Sequence, residues 1–193
     1  MVMKIIGFAG KRLCGKTLAS DILVDYSKDI GHPFRKASFA SHILWMFAEE
    51  KKITLDTLEL GFNEADLLPE FRHYIAKSLS KDRLFFAKSL IFTFSQFESI
   101  VIDDVSTIEE LEVIFKWGGH TYKIETDLPI LKDRGWEFTP GLDDDLDEME
   151  LGSLDPHTFL PYGGYIHNNK EVSDLRREVV RVFNSKILEK IYI

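Results

Sequence analysis

The sequence has little of what marks secreted, membrane or disulfide-linked proteins. It contains a single cysteine, Cys14, which excludes an intrachain disulfide framework, and no apolar segment approaches the length of a membrane span. Residues 1–4 lack the charged and apolar regions of a signal peptide. These features predict a protein of a reducing, cytoplasmic compartment without a membrane partner.

Two kinds of chemistry and one class of partner are also excluded. The six histidines show no metal-ligand spacing and no G-x-S-x-G pattern is present, so zinc and serine-hydrolase chemistry are set aside. The net charge is −8, from 24 basic and 32 acidic residues, which argues against a surface that coats DNA or RNA. An anionic ligand must therefore be held locally.

The strongest signal is a glycine-rich loop that follows an apolar run. Residues 10–17 read GKRLCGKT, a complete match to G-x-x-x-x-G-K-[ST], after residues 5–9, where a strand should end. The two glycines allow a turn that directs N–H groups at phosphate oxygens. The lysine adds a positive charge for the β and γ oxygens, and the threonine hydroxyl can bind Mg²⁺. The predicted phosphate-binding residues are Gly10, Lys11, Arg12, Leu13, Cys14, Gly15, Lys16 and Thr17.

Cys14 lies in this P-loop, where amide dipoles and Lys16 could lower the pKa of its thiol. We interpret it instead as an ordinary residue at a variable loop position.

Strand and helix patterns alternate along the rest of the chain. Extended runs predict strands at residues 3–8, 35–40, 99–105, 120–125 and 165–167. Helical spacing and capping residues predict helices at 17–29, 41–50, 55–60, 70–97, 106–117 and 172–191, with a capping box at 106–109 and a buried helix at 41–50.

The pattern breaks over residues 126–164, which include an acidic run at 143–148 that we interpret as a solvated loop. The expected fold is a three-layer α/β P-loop fold, with a mostly parallel central sheet flanked by helices. A chain of 193 residues fits a single domain over residues 1–193, with 126–164 as a lid-like segment.

Two acids lie in the last positions of the predicted buried strand 99–105. Asp103 and Asp104 stand at its carboxyl end, where ligands meet parallel sheets. Because neighbouring strand residues point to opposite faces, one of them should reach the water shell of Mg²⁺, which Thr17 also binds. Asp104 is favoured and Asp103 is the runner-up, and a pair that caps the next helix is the structural alternative.

Arginines supply the cations that phosphoryl transfer needs, because guanidinium groups bind phosphate oxygens through two hydrogen bonds. Arg12 lies in the P-loop. Arg72 and Arg83 are eleven residues apart on the predicted helix 70–97 and therefore share one face. We expect these three to be catalytic, although Arg72 and Arg83 could equally lie on a solvated face. Arg134, in the irregular segment, is a weaker candidate for a lid arginine that contacts the nucleotide.

The order of these pieces resembles a known family. The opening MKIIGFAGKRLCGKT resembles the start of bacteriophage-type deoxynucleoside monophosphate kinases and, more distantly, of animal-type phosphomevalonate kinase. Residues 38–40 resemble the family's s-F-A segment, residues 100–105 its v-I-x-D-v strand, and residues 166–169 its late I-x-N-N segment.

The resemblance implies ATP as phosphoryl donor, Mg²⁺ as cofactor and a (deoxy)nucleoside 5′-monophosphate as acceptor. Lys16 and Thr17 would bind the donor phosphates and the metal, Arg12 would lie along the phosphates, and Asn168 would lie near the donor base. The expected partners are small nucleotides alone, for a monomer or homodimer, in the host cytoplasm if a phage encodes the protein.

Three departures from the family pattern remove cations. Ser106 replaces the arginine of Asp-Val-Arg, residues 125–127 read Glu-Thr-Asp where an arginine is common, and the lysine usual after Ser-Phe-Ala is missing near residues 43–45. Three interpretations therefore remain open: an active nucleoside monophosphate kinase, a kinase of another small phosphorylated metabolite, or a non-catalytic nucleotide-binding protein with a degenerate acceptor site.

Overall fold

The structure, a computed structural model, describes residues 3–58, 67–96, 99–139 and 162–185. The strands are β1 (Lys4–Ala9), β2 (Arg35–Ala37), β3 (Ser99–Val105), β4 (His120–Glu125) and β5 (Tyr162–His167). The helices are α1 (Lys16–Asp29), α2 (Phe39–Lys51), α3 (Leu68–Lys81), α4 (Phe85–Phe94), α5 (Ile108–Lys116), α6 (Leu128–Asp133) and α7 (Val172–Phe183).

All neighbouring strands are parallel, in the order β2-β3-β1-β4-β5. On one face the core includes Phe8 of β1, Leu23 of α1 and Phe183 of α7. On the other face Ile100 of β3 packs with Leu90 of α4. The predicted α/β fold, with a parallel central sheet flanked by helices, is confirmed.

The helices between β2 and β3 have a small apolar core of their own. Its buried members include Phe47 of α2, Tyr74 of α3 and Phe86 of α4. This cluster is distinct from the two cores that cover the faces of the sheet.

The segment predicted as one helix over residues 70–97 is two helices. Asp82, between α3 and α4, is extended, with φ −152° and ψ 109°. Its Oδ1 accepts a hydrogen bond of 2.9 Å from the backbone N–H of Leu84, and its Oδ2 pairs with Lys88 at 2.8 Å. The chain therefore turns at Asp82, and the prediction of a continuous helix is wrong.

The parallel register of β1 and β3 slips by one residue across Asp103 and Asp104. As a result Ile102 and Val105, three positions apart, pack in the same core. Such a bulge breaks the strict alternation of side chains along a strand. The alternation of side chains along a strand therefore does not predict which face of the sheet each of the two acids lies on.

Smaller corrections concern element ends. The N-cap of α5 is Thr107, whose capping box is completed by Glu110, one residue later than predicted. Residues 128–133, expected to be irregular, form α6, and β5 begins at residue 162. The acidic run 143–148 and residues 186–191 lie outside the described residues. Within the described part of the chain, no helix has the length and apolar character to cross a membrane.

Candidate nucleotide and acceptor site

The P-loop joins β1 to α1 in a shape that its glycines allow. Gly10 and Gly15 have φ angles of 137° and 104°, in the region that favours glycine. A Cβ atom on Gly10 would lie 2.4 Å from the carbonyl oxygen of Ile124, and one on Gly15 would lie 2.4 Å from Nδ2 of Asn168. Since α1 begins at Lys16, the amides of its first turn face the loop and can bind an anion.

Lys16 reaches back across this loop. Its Nζ donates to the carbonyl oxygen of Gly10 at 2.5 Å and to that of Lys11 at 3.1 Å. Carbonyl oxygens are weaker partners for an ammonium group than phosphate oxygens are. The lysine therefore lies beside the loop in a position from which it can transfer to a bound phosphate.

Three side chains from other loops hold the outer side of the P-loop. The carbonyl oxygen of Cys14 accepts hydrogen bonds from Nδ2 of Asn168 at 2.8 Å and from Oγ1 of Thr126 at 3.1 Å. Arg134 donates to the carbonyl oxygens of Leu13 at 3.4 Å and Asn168 at 3.1 Å. Asn168 and Arg134, which the sequence predicts to contact the nucleotide, thus donate hydrogen bonds to the backbone of the loop.

Cys14 is buried, and burial raises the pKa of its thiol because the thiolate would be poorly solvated. Lys16 acts in the opposite direction but with the smaller effect. The thiol is therefore not activated by the loop.

The two basic residues at the start of the loop contact the segment after α6. Arg12 donates to the carbonyl oxygen of Glu137 at 2.8 Å and to Oγ1 of Thr139 at 3.2 Å. The Nζ of Lys11 lies 5.7 Å from the ring centroid of Trp136, in a cation–π contact. Residues 136–139 therefore lie against the P-loop.

Asp104, the favoured metal acid, accepts three hydrogen bonds. They come from Oγ of Ser38 at 2.8 Å and from the backbone N–H groups of Phe39 at 2.8 Å and Ala40 at 2.9 Å. The carboxylate therefore links β3 to the N-terminus of α2, where negative charge is favourable.

Asp103 lies on the α1 side of β3 and pairs with Lys36 at 3.2 Å. Lys36 also pairs with Asp21 of α1 at 2.7 Å, one helical turn beyond Thr17. Burial alone would lower the pKa of Lys36, but the hydrogen bonds that its ammonium group donates to the two carboxylates, together with their negative charges, keep this pKa above its usual value. Asp103 thus belongs to a charged group beside the first turns of α1.

A cavity of about 600 Å³ opens at the carboxyl ends of β2 and β3, and we call it the strand-end cavity. Its lining comprises Lys36, Ala37, Ser38, Ser41, His42, Trp45, Thr93, Phe94 and Asp103. It combines hydroxyl groups, an ion pair and aromatic rings, as sites for small polar metabolites do.

Trp45 presents its indole ring to this cavity and is 44% exposed. The ring stacks on His42, with centroids 5.6 Å apart and planes 26° apart. His42 is held by a 3.0 Å hydrogen bond between Nε2 and Oγ of Ser89, and burial lowers the pKa of its imidazole. A neutral, fixed imidazole therefore supports the tryptophan.

The structure separates Arg72 and Arg83. Arg72 is exposed on α3, whereas Arg83 lies in the connection to α4 and pairs with Glu109 at 2.7 Å. Glu109 is in the first turn of α5, three residues after Ser106. The prediction that the two arginines share one face is wrong, and Arg83 reaches the first turn of α5.

Sequence reasoning missed three residues of this region. Lys36 stands on a short strand with no motif around it. Trp45 is in an apolar stretch that predicts a buried helix, and the prediction is wrong for this residue because the strand-end cavity exposes it. The family pattern marks residues 125–127 only as a stretch that lacks an arginine, although the hydroxyl of Thr126, directly after a strand end, can donate to a nearby backbone carbonyl oxygen.

The chain is similar to known proteins in its fold rather than in its sequence. No family model matches the chain, and no curated protein matches it. Among solved structures, a gluconokinase from Sinorhizobium meliloti 1021 matches with a TM-score of 0.54 and 13% identity, over 98% of this chain and 95% of that one.

Two further structures match over similar lengths. Shikimate kinase from Acinetobacter baumannii, in complex with shikimate, has a TM-score of 0.54 and 13% identity over 95% and 94% of the two chains. Dephospho-CoA kinase from Campylobacter jejuni has a TM-score of 0.50 and 15% identity over 99% and 100%. The chain therefore has the fold of P-loop kinases over nearly its whole length.

Proposed function

We propose that this protein is a P-loop phosphotransferase, which transfers the γ-phosphoryl group of ATP to a small acceptor in the strand-end cavity. One observation carries the proposal. The P-loop and the strand-end cavity open at the same edge of the sheet, because β1, which leads into the loop, is the direct neighbour of β3, which leads into the cavity. Ligands of parallel α/β sheets bind at this edge.

On the donor side, the loop amides and Lys16 would bind the triphosphate. Lys16 would leave the carbonyl oxygen of Gly10 for the β and γ oxygens and stabilise the charge that develops during transfer. Arg12 would lie along the phosphates. Asn168 and Arg134 would act mainly as positioning residues, since they hold the backbone on which the phosphates rest.

The two acids at the end of β3 differ in how readily they could bind a magnesium ion. Asp104 already accepts three hydrogen bonds, whereas Asp103 has a lysine partner and faces the first turns of α1. We therefore assign the metal to Thr17 and Asp103, with water molecules as the remaining ligands. When bound, Mg²⁺ would neutralise charge on the β and γ oxygens.

The acceptor we propose is a (deoxy)nucleoside 5′-monophosphate. Trp45 offers an exposed ring face on which a base can stack. Arg83, paired with Glu109, brings a guanidinium group near the position where Ser106 replaces the family's arginine. These two side chains would supply a ring contact and a phosphate contact, and the guanidinium group would compensate in part for the missing cations.

The test is a turnover assay with ATP, Mg²⁺ and each common (deoxy)nucleoside monophosphate, with diphosphate products separated by chromatography. Formation of a diphosphate from at least one nucleotide supports the proposal. Turnover of other phosphorylated metabolites alone would identify a metabolite kinase. ATP binding that Lys16→Ala abolishes, without turnover of any acceptor, would instead identify a non-catalytic nucleotide-binding protein.

A further inference from the structure

A second cavity, of about 550 Å³, lies between α2, α3 and the beginning of α4. We propose that this interhelical cavity binds a small organic anion that combines an aromatic ring with one negatively charged group. The proposal does not depend on the proposed function, because the cavity contains no residue of the P-loop or of the strand-end cavity.

The apolar part of the site is a continuous set of aromatic rings. Phe47 and Tyr74 have ring centroids 5.4 Å apart, and Tyr74 and Phe86 follow at 5.8 Å. Phe85, which is 37% exposed, packs on Phe86 at 5.1 Å and lines the cavity. The first two pairs are tilted and the third is edge to face, and rings packed in this way form a rigid wall against which a ligand ring can pack.

The positive charge comes from one face of α3. His73, Lys77 and Lys81 are spaced by four residues, so they follow one another along the cavity. Lys51 and Glu70, also in the lining, form an ion pair with each other. The ion pairs within the described residues include neither Lys77 nor Lys81. Their ammonium groups are therefore available to a ligand.

One carboxylate of the lining, Glu50, remains to be placed. It lies near Tyr74, because together with burial it raises the pKa of that phenol. Lys81 lies about 10 Å further along α3, at 1.5 Å per residue. The anionic group therefore belongs at the Lys77–Lys81 end, beside Ser78 and Phe85.

The two halves of the site define the ligand class. A ring without a charge would leave both lysines unused, and an inorganic anion would leave the aromatic wall unused. A cavity of this size accommodates a small organic molecule rather than a peptide or a second protein. In a chain with a net charge of −8, two lysines on one helix face that pair with no carboxylate of the described residues form a local site of attraction for an anion.

The probe for this site is 8-anilinonaphthalene-1-sulfonate, an aromatic anion whose fluorescence reports binding. We expect saturable binding to the folded full-length chain. The double variant Lys77→Gln, Lys81→Gln should weaken it about tenfold, because charge-assisted hydrogen bonds are lost. The matched control is Lys28→Gln, Lys132→Gln, which removes two exposed lysines from α1 and α6 and should bind the probe as the parent does.

Two further variants distinguish the interhelical cavity from the P-loop and from nonspecific attraction of an anion. Lys16→Ala should bind the probe normally, because the P-loop does not contribute to this cavity. Phe85→Ala should weaken binding while leaving the charges in place, and circular dichroism should show an unchanged fold in each variant. Equal binding by the two double-lysine variants, or displacement of the probe by equimolar inorganic sulfate, would overturn the proposal.

Discussion

The side-chain amide of Asn168 donates a 2.8 Å hydrogen bond to the carbonyl oxygen of Cys14, 154 positions away in sequence. The amide fills the space that a Cβ on Gly15 would need, and Asn168 itself is 4% exposed. Because Asn168 follows β5, this contact ties an edge strand of the sheet to the loop beside its centre. The shape of the phosphate site therefore depends on a distant loop.

We predict that Asn168→Ala weakens ATP binding about tenfold and lowers the free energy of unfolding by about 1–3 kcal/mol, because the carbonyl oxygen of Cys14 loses a buried donor. Calorimetric ATP titration and urea unfolding measure the two effects. Asn169→Ala is the matched control, since Asn169 makes an exposed bond to the N–H of Asp127. Equal effects of the two variants would contradict the positioning role.

Lys16→Ala should lower the rate of phosphoryl transfer about 100-fold or more, because a preorganised charge at the transferred group is lost. The reference variant is Lys28→Ala, at the other end of the same helix and on its exposed side. Single-turnover kinetics with the best acceptor would measure the loss. A rate within a few-fold of the parent would remove Lys16 from the catalytic set.

Substitution of the two acids of β3 should affect different properties of the protein. Asp104→Asn should lower the free energy of unfolding by about 1–3 kcal/mol, since an amide cannot accept all the hydrogen bonds from Ser38, Phe39 and Ala40. Asp103→Asn should unfold nearly as the parent does but lose the Mg²⁺ dependence of turnover. Urea unfolding and turnover at several Mg²⁺ concentrations distinguish the two variants, and the reverse pattern would assign the metal to Asp104.

Glu110 should make stability depend on pH. Burial raises the pKa of its carboxyl from 4.5 to about 7, although hydrogen bonds from the N–H groups of Ser106 and Thr107 oppose this. Between these two values the folded state binds more protons than the unfolded state. The contribution of Glu110 to the free energy of unfolding therefore falls as pH rises from 4.5 to 7, by about 3 kcal/mol, and is constant above.

Glu110→Gln keeps the acceptor oxygen but cannot titrate. Urea unfolding at pH 5, 6, 7 and 8 gives the free energy of unfolding of the variant and of the parent. The difference between the two at each pH is the contribution of the Glu110 carboxyl group. A flat difference across this range would show that Glu110 titrates like a solvated side chain.

Trp45 should control the Michaelis constant for the acceptor. Trp45→Leu removes the ring and should raise this constant about tenfold, because base stacking on an aromatic ring contributes about 1–3 kcal/mol. Trp45→Phe keeps a ring and should have a smaller effect. ATP binding should be unchanged in both, and equal acceptor constants for Trp45→Leu and the parent would refute a stacking role.

The P-loop and its flanking elements could be predicted because they depend on local residue types. The sequence predicts β1, the loop and α1 from an apolar run, two glycines at fixed positions and a lysine. The break between α3 and α4 could not be predicted from apolar spacing, since that spacing runs from Leu79 to Phe86 without interruption. Asp82, a helix-capping residue type, was the available signal.

The different partners of Asp103 and Asp104 could not be predicted, because they depend on the bulge in β3. That bulge is a property of how β3 pairs with β1, some 95 positions earlier, and leaves no local pattern.

The exposure of Trp45 could not be predicted for a similar reason. Its exposure follows from the cavity that β2, β3 and α4 form around it, and apolar spacing within α2 carries no information about that cavity.

Helix α2 forms a wall of both cavities. His42 and Trp45 line the strand-end cavity, while Phe47 and Lys51, about half a turn away around the helix, line the interhelical cavity. The two surfaces cannot diverge independently during evolution, because a substitution that shifts or tilts α2 to suit one occupant changes the dimensions of the other cavity. Homologues with a different acceptor should therefore show paired changes on both sides of this helix.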